Sequence, residues 1–583
     1  MALENALRQL LVRDHPASLQ RLVTAPRSQL LDLDASKLCR LAWVLGKRQD
    51  AGATRATSRT HEAGLLLRLQ PLLRFESCRD VGIVSWAFAR QRLLEKQFLL
   101  HLISVYGTLK PGDPVSLANL LWASALASIS LSPVEQLLAA HREVLAEAKS
   151  AELARLLWAL GSMRVADTVF HRSKEIMWRD AKTQDLANTL WALTRVGWSM
   201  PEDLIKELES RHLPTIELVA CLSALAEARN VSSSLWQKAD PKAGTWCGHS
   251  PSARALGTLL WAHATAQVDP SPNLLKELRI SVMSPQSLAN SLWSLAKLQV
   301  DIPANAIDEC RKILQKDLAR FKPQEFASCV WAIGSMEKPA VEFFESLQLP
   351  DLRPFEDHHL SQVAWAFSSA GVRRLEVLEL LASEMLCRNG FSLQAIANIT
   401  WALKNLEFAQ FAPHAAALHA HLQGLVARRL ILSHGLPANE DVDSLLGILW
   451  ANRENDVLTG AITSSLQRLG RKMDLARQSN PQSGILTQAC DEHADTDQPR
   501  LQLEVPGVVV IYKPHGWEVD TVSTEQSGRK LSTFIRSRFD LEGFVSRLDT
   551  PSSGLLLSAT CYEGLLLLQA QRELGEAFGP ALG

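Results

Sequence analysis

One pattern of apolar and small residues recurs along most of the chain. It reads Leu117-Ala-Asn-Leu-Leu-Trp122-Ala, Leu153-Ala-Arg-Leu-Leu-Trp158-Ala-Leu and Leu186-Ala-Asn-Thr-Leu-Trp191-Ala-Leu, and returns around Trp293, Trp331 and Trp401. Looser copies centre on Trp43, Trp86, Trp261, Trp365 and Trp450, and one copy without the tryptophan centres on Ser223. Apolar residues fall at Trp−5, Trp−1, Trp and Trp+2. The first two are four apart and the −1/+2 pair three apart, which places them on one face of a helix. Ala at −4 and +1 leaves room for a neighbouring helix to approach.

Successive centres lie 43, 36, 36, 33, 32, 38, 32, 38, 34, 36 and 49 residues apart. Between them run second helical patterns such as Val134 to Leu145, opened by Ser132-Pro133, Met200-Pro201 or Ile302-Pro303. Proline suits the first turn of a helix. A unit of about 36 residues therefore predicts two helices of about 12–14 residues and two short turns. About twelve such units, stacked, predict a mostly α chain built as an α-solenoid over residues 30–469. The recurring tryptophans read as core packing, the usual fate of a large aromatic on an apolar face.

After Trp450 the pattern stops. Residues 1–29 precede the repeats, and 470–502 are polar and read as a linker. Val505-Pro-Gly-Val-Val-Val-Ile-Tyr512 is a β-branched strand signal bounded by Pro and Gly, and Lys513-Pro514-His515-Gly516 makes a turn. Phe544-Val-Ser-Arg547-Leu-Asp549-Thr-Pro-Ser-Ser553-Gly554 then leads into a strand at Leu555–Ala559 and a helix over Tyr562–Glu573. Residues 503–583 are thus expected to form a short α+β fragment.

Composition narrows the chemistry. Of 583 residues, 47% are hydrophobic and 21% charged, which excludes a disordered chain. The net charge is −1, so any polyanion-binding surface must be local. Residues 501–583 carry seven basic and ten acidic residues, and the rest 54 against 52, so neither part is a polybasic arm. Nine scattered cysteines without a C-x-x-C pair argue against a zinc ribbon or a disulfide framework. The longest uncharged stretch, Pro114 to Val134, holds five serines and reads as a buried helix with turns, not a membrane span. No Walker-type loop, G-x-G-x-x-G, H-E-x-x-H or G-x-S-x-G occurs. His358-His359 has no third ligand at a suitable spacing, so no metal is expected.

Polar variation within the repeat frame concentrates at Trp−3, with Asn119, Arg155, Asn188, Asn290, Gln362 and Asn398 among its occupants. Most can hydrogen-bond a base edge, and one such residue per helical repeat is how repeats read single-stranded RNA. Four of the twelve being Asn also fits a packing role in which the amide satisfies a backbone group between helices.

The Leu-Ala-Asn-x-Leu-Trp-Ala-Leu phrase resembles octotricopeptide-type repeats, also found near RAP and FAST-kinase-like domains in organellar RNA proteins; no RAP domain is visible here. The resemblance covers about three quarters of the chain and implies RNA as partner and a chloroplast or mitochondrial setting. The C-terminal motifs resemble those of RluA-type pseudouridine synthases over residues 503–575. Arg547-Leu-Asp549, two residues, Ser552-Ser553-Gly554 and a Leu-rich strand match one family signature, with Ser552 where the family has Thr and Ser546 where it commonly has His. Lys513-Pro514-x-Gly516 matches an earlier one. The resemblance implies that Asp549 is catalytic, as nucleophile or in proton abstraction, without metal or cofactor. It implies that Arg547 holds the place of a flipped-out uridine, with Lys513, Pro514, Gly516, Ser553 and Gly554 in support. The family's domain has further strands supplying a Tyr under the uracil and a basic residue near the Asp, whereas this sequence runs only to Gly583.

Three functions follow. The first is an RNA-binding helical-repeat protein that isomerises uridine to pseudouridine. The second is an RNA-binding solenoid with an inactive or truncated synthase remnant. The third is a protein-binding scaffold.

Overall fold

The computed structural model describes residues 2–12, 16–47, 56–110, 112–128, 131–175, 178–241, 251–302, 304–336, 340–407, 413–432, 441–478, 498–519, 529–539, 541 and 543–575. They are mostly helical, with one small antiparallel sheet near the C-terminus. No helix among the described residues is long and apolar enough to cross a membrane. The chain divides into two compact units, Met1–Ser294 and Leu295–Gly583.

All twelve pattern centres lie inside helices. In the first unit, residues 2–31 form three short helices ahead of the Trp43 helix (Ala35–Lys47). From there each centre's helix packs on the next: Trp86 (Cys78–Arg90), Trp122 (Pro114–Leu126), Trp158 (Ser150–Met163), Trp191 (Thr183–Arg195), Ser223 (Thr215–Glu227) and Trp261 (Ala253–Ala266). In the second unit the Trp331 (Pro323–Gly334), Trp365 (Asp357–Ser369), Trp401 (Leu393–Asn405) and Trp450 (Val442–Ala451) helices pack in the same serial way. Local chemistry starts and stops them. Asp113 and Ser252 accept from the backbone N–H three residues on, satisfying an orphan donor of the first turn. Among the described residues, nine of the helices end in a left-handed residue at Trp+6, from Arg92 (φ 58°) through Arg164 (φ 56°) to Glu407 (φ 52°), two of the nine being glycines, Gly197 and Gly371.

Close approach is regular too. A Cβ on Gly161, at Trp+3, would stand 2.9 Å from Ala192 Cα, at Trp+1 of the next helix. Gly46 meets Ala87 at 2.9 Å and Gly334 meets Ala366 at 2.8 Å in the same way. Small residues on opposite flanks let the helices touch backbone to backbone, as the Ala at +1 suggests.

The tryptophans correct one expectation. Trp−5, −1 and +2 are largely buried, as at Leu153, Leu157 and Leu160, and Trp−2 is buried in all twelve helices from Leu41 to Ile448. The tryptophans themselves are half-buried, and Trp43 is 37% exposed. At about 100° per residue, the Trp position lies about 140° around the helix from −5 and about 100° from −1, at the edge of the apolar face. The indoles therefore form a ladder along one helix face. Trp158 stacks on Trp191 with centroids 6.1 Å apart and lies 6.5 Å from Trp122. In the second unit Trp365 lies 6.1 Å from both Trp331 and Trp401.

The second element of several units also departs from expectation. Lys96–Thr108 and Ala304–Asp317 are full helices, but Thr168–Lys174 and Ser234–Ala239 are 3-10 segments, and Pro272–Lys276 is a single turn. Ser232-Ser-Ser-Leu235 and Pro270-Ser-Pro interrupt the helical pattern there, and burial of a few apolar side chains such as Leu235 and Trp236 replaces the full helix.

His263 clips the end of its own helix: Nδ1 donates to Val268 O at 3.0 Å, while Val268 N donates to His263 O at 3.0 Å. Burial holds its pKa below the ordinary imidazole value of 6.5, against the opposing hydrogen bond to Val268. The unfolded chain then binds the proton first, so the stability His263 contributes is present above pH 6.5 and is lost as pH falls below it. Urea midpoints of the wild-type chain are expected to fall between pH 7.5 and 5.5, and His263→Gln to reduce that slope.

Candidate functional site

The C-terminal sheet has strand order β1-β2-β4-β3, with β1 Arg500–Val505, β2 Val508–Lys513, β3 Gly543–Phe544 and β4 Gly554–Ala559. Pro506-Gly507 turns β1 into β2, with Gly507 at φ +86°. β-Branched side chains on one face of β2 pack inward: Val509 and Ile511 join Leu531, Ile535 and Leu556 in a small core. β2 and β4 pair antiparallel from Val508↔Ala559 to Lys513↔Gly554. The two sequence motifs therefore leave the sheet from the same end, one after β2 and the other before β4.

Hydrogen bonds join the two loops. Lys513 is fully buried, and its Nζ donates to Trp517 O (2.8 Å), Thr550 O (3.3 Å) and Pro514 O (3.4 Å). Gly516, at φ +79°, donates its N–H to the same Thr550 O at 2.9 Å, and His515 Nδ1 donates to Pro551 O at 2.7 Å. Gly516 needs that left-handed conformation to aim its N–H at the loop, and few L side chains adopt it. Pro514 fixes the chain direction as it leaves β2. Ser552 N donates to Asp549 O at 2.9 Å and closes the turn that carries the carboxylate. Burial pushes the Lys513 ammonium below its ordinary range, with Asp549 opposing that shift electrostatically.

Asp549, Arg547 and Ser553 are exposed on this tethered loop, and Gly554 is half-buried where β4 begins. A Cβ on Gly554 would stand 3.3 Å from Leu548 Cδ1. The arrangement presents one carboxylate and one guanidinium, two residues apart, on a loop whose base is fixed by a buried ammonium. Asp540 and Glu542, two further acids shortly before Asp549 in the chain, lie outside the described residues.

The segment read as a linker begins as helix: Asp456–Gln478 runs through residue 470, and 479–497 lie outside the described residues. This helix and the Tyr562–Leu574 helix touch closely, since a Cβ on Gly470 would meet Glu563 Cα at 2.5 Å. Asp474 accepts from Tyr562 N (2.8 Å) and Glu563 N (3.0 Å), capping the later helix from the earlier one. Glu563 Oε1 accepts from Gln467 Nε2 (2.7 Å) and Arg471 Nε (2.9 Å).

The Trp−3 residues sit on the same helix faces as the indoles. Arg155 is exposed, and Asn119, Asn188, Asn290, Gln362 and Asn398 are half-buried. Arg155 Nη1 donates to Asn119 Oδ1 at 2.9 Å, and Gln394 Nε2 donates to Asn398 Oδ1 at 3.1 Å. In both cases the amide's partner is a surface side chain and not a backbone group. Sequence reasoning missed that the tryptophans share this face; the helical wheel carries the signal, since −3, 0 and +4 fall within about 60° of one another.

Contrary to the spacing argument, Glu356 does bring a third ligand atom within 4.8 Å of those of His358 and His359, but His359 Nδ1 already accepts from Glu356 N at 3.2 Å. That bond puts the ring proton on Nε2, leaving no free lone pair on the buried histidine. No protein-family model matches the chain, and no curated protein matches it.

Proposed function

We propose that the protein is an RNA-binding α-solenoid of about twelve repeats, each a motif helix followed by a second helix or a shorter helical segment, carrying a RluA-type pseudouridine synthase module, which isomerises a uridine in its bound RNA. Asp549 serves as the catalytic carboxylate and Arg547 fills the space vacated by the flipped nucleotide. The observation that carries the reading is the joining of the two motifs: Lys513 and Gly516 both donate to Thr550 O, next to Asp549. A lone Arg-Leu-Asp is common on surfaces, whereas a buried lysine bonded to three carbonyls is costly, and here it ties a second motif to the backbone that carries Asp549. Metal-free cleavage of a C–N bond depends on such a group. The half-exposed Trp face and its Trp−3 side chains support RNA as the ligand of the repeats. An organellar RNA is the substrate class that the repeat resemblance favours.

The test is pseudouridine mapping on RNA incubated with the full chain. The exposure of Asp549 favours a second reading, in which the module no longer turns over and the repeats act alone. RNA binding without product would select it.

A further inference from the structure

We infer that single-stranded RNA is gripped by one particular surface, the tryptophan face of residues 1–294, with a nucleotide seat between the Trp86 and Trp122 helices. This rests on the RNA-binding reading above and says where that binding occurs.

Charge is the first ground. Residues 1–294 hold 34 Lys and Arg against 27 Asp and Glu, net +7, while residues 295–583 hold 27 against 35, net −8. The near-neutral total conceals two oppositely charged parts. On the Trp face the bias sharpens: Trp−3 and Trp+4 in the first unit supply Arg40, Arg155, Lys47, Arg90 and Arg195, opposed only by Glu227. Beyond residue 294 the same positions supply Lys297 and Glu454, which cancel.

The second ground is the pairing of cation with ring. Lys47 Nζ lies 5.0 Å from the Trp43 ring centroid, and the Arg90 and Arg195 guanidinium carbons lie 5.2 and 5.7 Å from those of Trp86 and Trp191. Each places a positive charge beside a half-exposed indole, with Arg195 also 3.9 Å from the Glu227 carboxylate, the combination of cation and ring by which proteins track a phosphate backbone and stack its bases without reading sequence. Trp122, Trp158 and Trp191 are in ring contact and continue that surface from helix to helix.

The third ground is a cavity. About 570 Å³ opens between the ends of the Trp86 and Trp122 helices, with Arg90 and Arg92 on one side and Trp122 and Leu126 on the other. Its size falls in the range of small-ligand pockets. Two arginines, an indole and a leucine that is 49% exposed, lining one cavity, suit a nucleotide, with phosphate toward the arginines and base toward the tryptophan. The left-handed backbone at Arg92 (φ 58°) turns the chain there and forms one wall of the cavity.

The experiment titrates the full chain with a 20-nucleotide mixed-sequence single-stranded RNA at several salt concentrations. The triple variant Lys47→Gln, Arg90→Gln, Arg195→Gln is compared with a control of equal charge change in the second unit, Arg311→Gln, Arg320→Gln, Arg373→Gln. Three lost phosphate contacts should lower affinity about 100-fold at 0.1 M salt and flatten the salt slope by about 2, from a slope of about 0.7 per contact on single strands. The control should stay within about threefold. Equal losses in both triples, or no loss in the first, would overturn the placement while leaving RNA binding by the repeats intact. A wild-type chain that binds no RNA would overturn both.

Discussion

Asp549→Asn is expected to abolish pseudouridine formation and to leave RNA binding within about twofold of wild type. Loss of a positioned acid–base or nucleophilic group is expected to cost at least about 10²–10⁴-fold in rate. The fold should survive, because the turn is closed by the Asp549 backbone carbonyl accepting from Ser552 N, which asparagine retains. The carboxylate itself is exposed, so the isosteric amide disturbs no packing. Pseudouridine mapping with binding measured in parallel is the check. Product at the wild-type rate from the asparagine variant would remove Asp549 from the chemistry.

Gly564→Ala is expected to destabilise the C-terminal module by about 3 kcal/mol, the upper part of the range for overpacking. A Cβ there would stand 2.1 Å from Gly507 O and 2.9 Å from Gly507 C. Neither side yields cheaply. Gly507 holds φ +86° in the β1–β2 turn, and its carbonyl also accepts from Thr560 N at 2.9 Å. The start of the Tyr562–Leu574 helix is meanwhile held by Asp474. Hydrogen exchange of the β2 and β4 amides reads the effect, since circular dichroism is dominated by the repeat helices. Unchanged protection in the alanine variant would show that the turn can move aside.

The motif helices were legible in the sequence because the 3.6-residue period was written by Leu at −5 and −1 and by small residues at −4 and +1. β2 and β4 were legible because Val508 to Ile511 and Leu555 to Leu557 are apolar runs bracketed by Gly or Pro. The place of the tryptophans was in the sequence too, as an angle about 100° from −1, but their size argued for the core and displaced the geometry. The left-handed cap at Trp+6 stayed hidden because Arg, Ser, Gln and Glu occupy it as well as Gly, and hydrogen bonds such as Leu93 N to Phe88 O enforce it. In the candidate site, Lys513, Gly516 and Asp549 could be named from the motifs. That Lys513 is buried under three carbonyls and shares Thr550 O with Gly516 could not, because it depends on the Lys513↔Gly554 register of two strands some 40 residues apart.

The cap that Asp474 places on the Tyr562 helix has a consequence in time. The two residues are 88 apart in sequence. At a synthesis rate of about 5–20 residues per second, Asp474 leaves the ribosome roughly 4–18 s before its partner. The Asp456–Gln478 helix can settle against the earlier repeats in that interval, with Gly470 and Asp474 forming an unoccupied shelf. The sheet then assembles beside a surface already in place, so the nascent repeats act as an intramolecular template for the module that follows them.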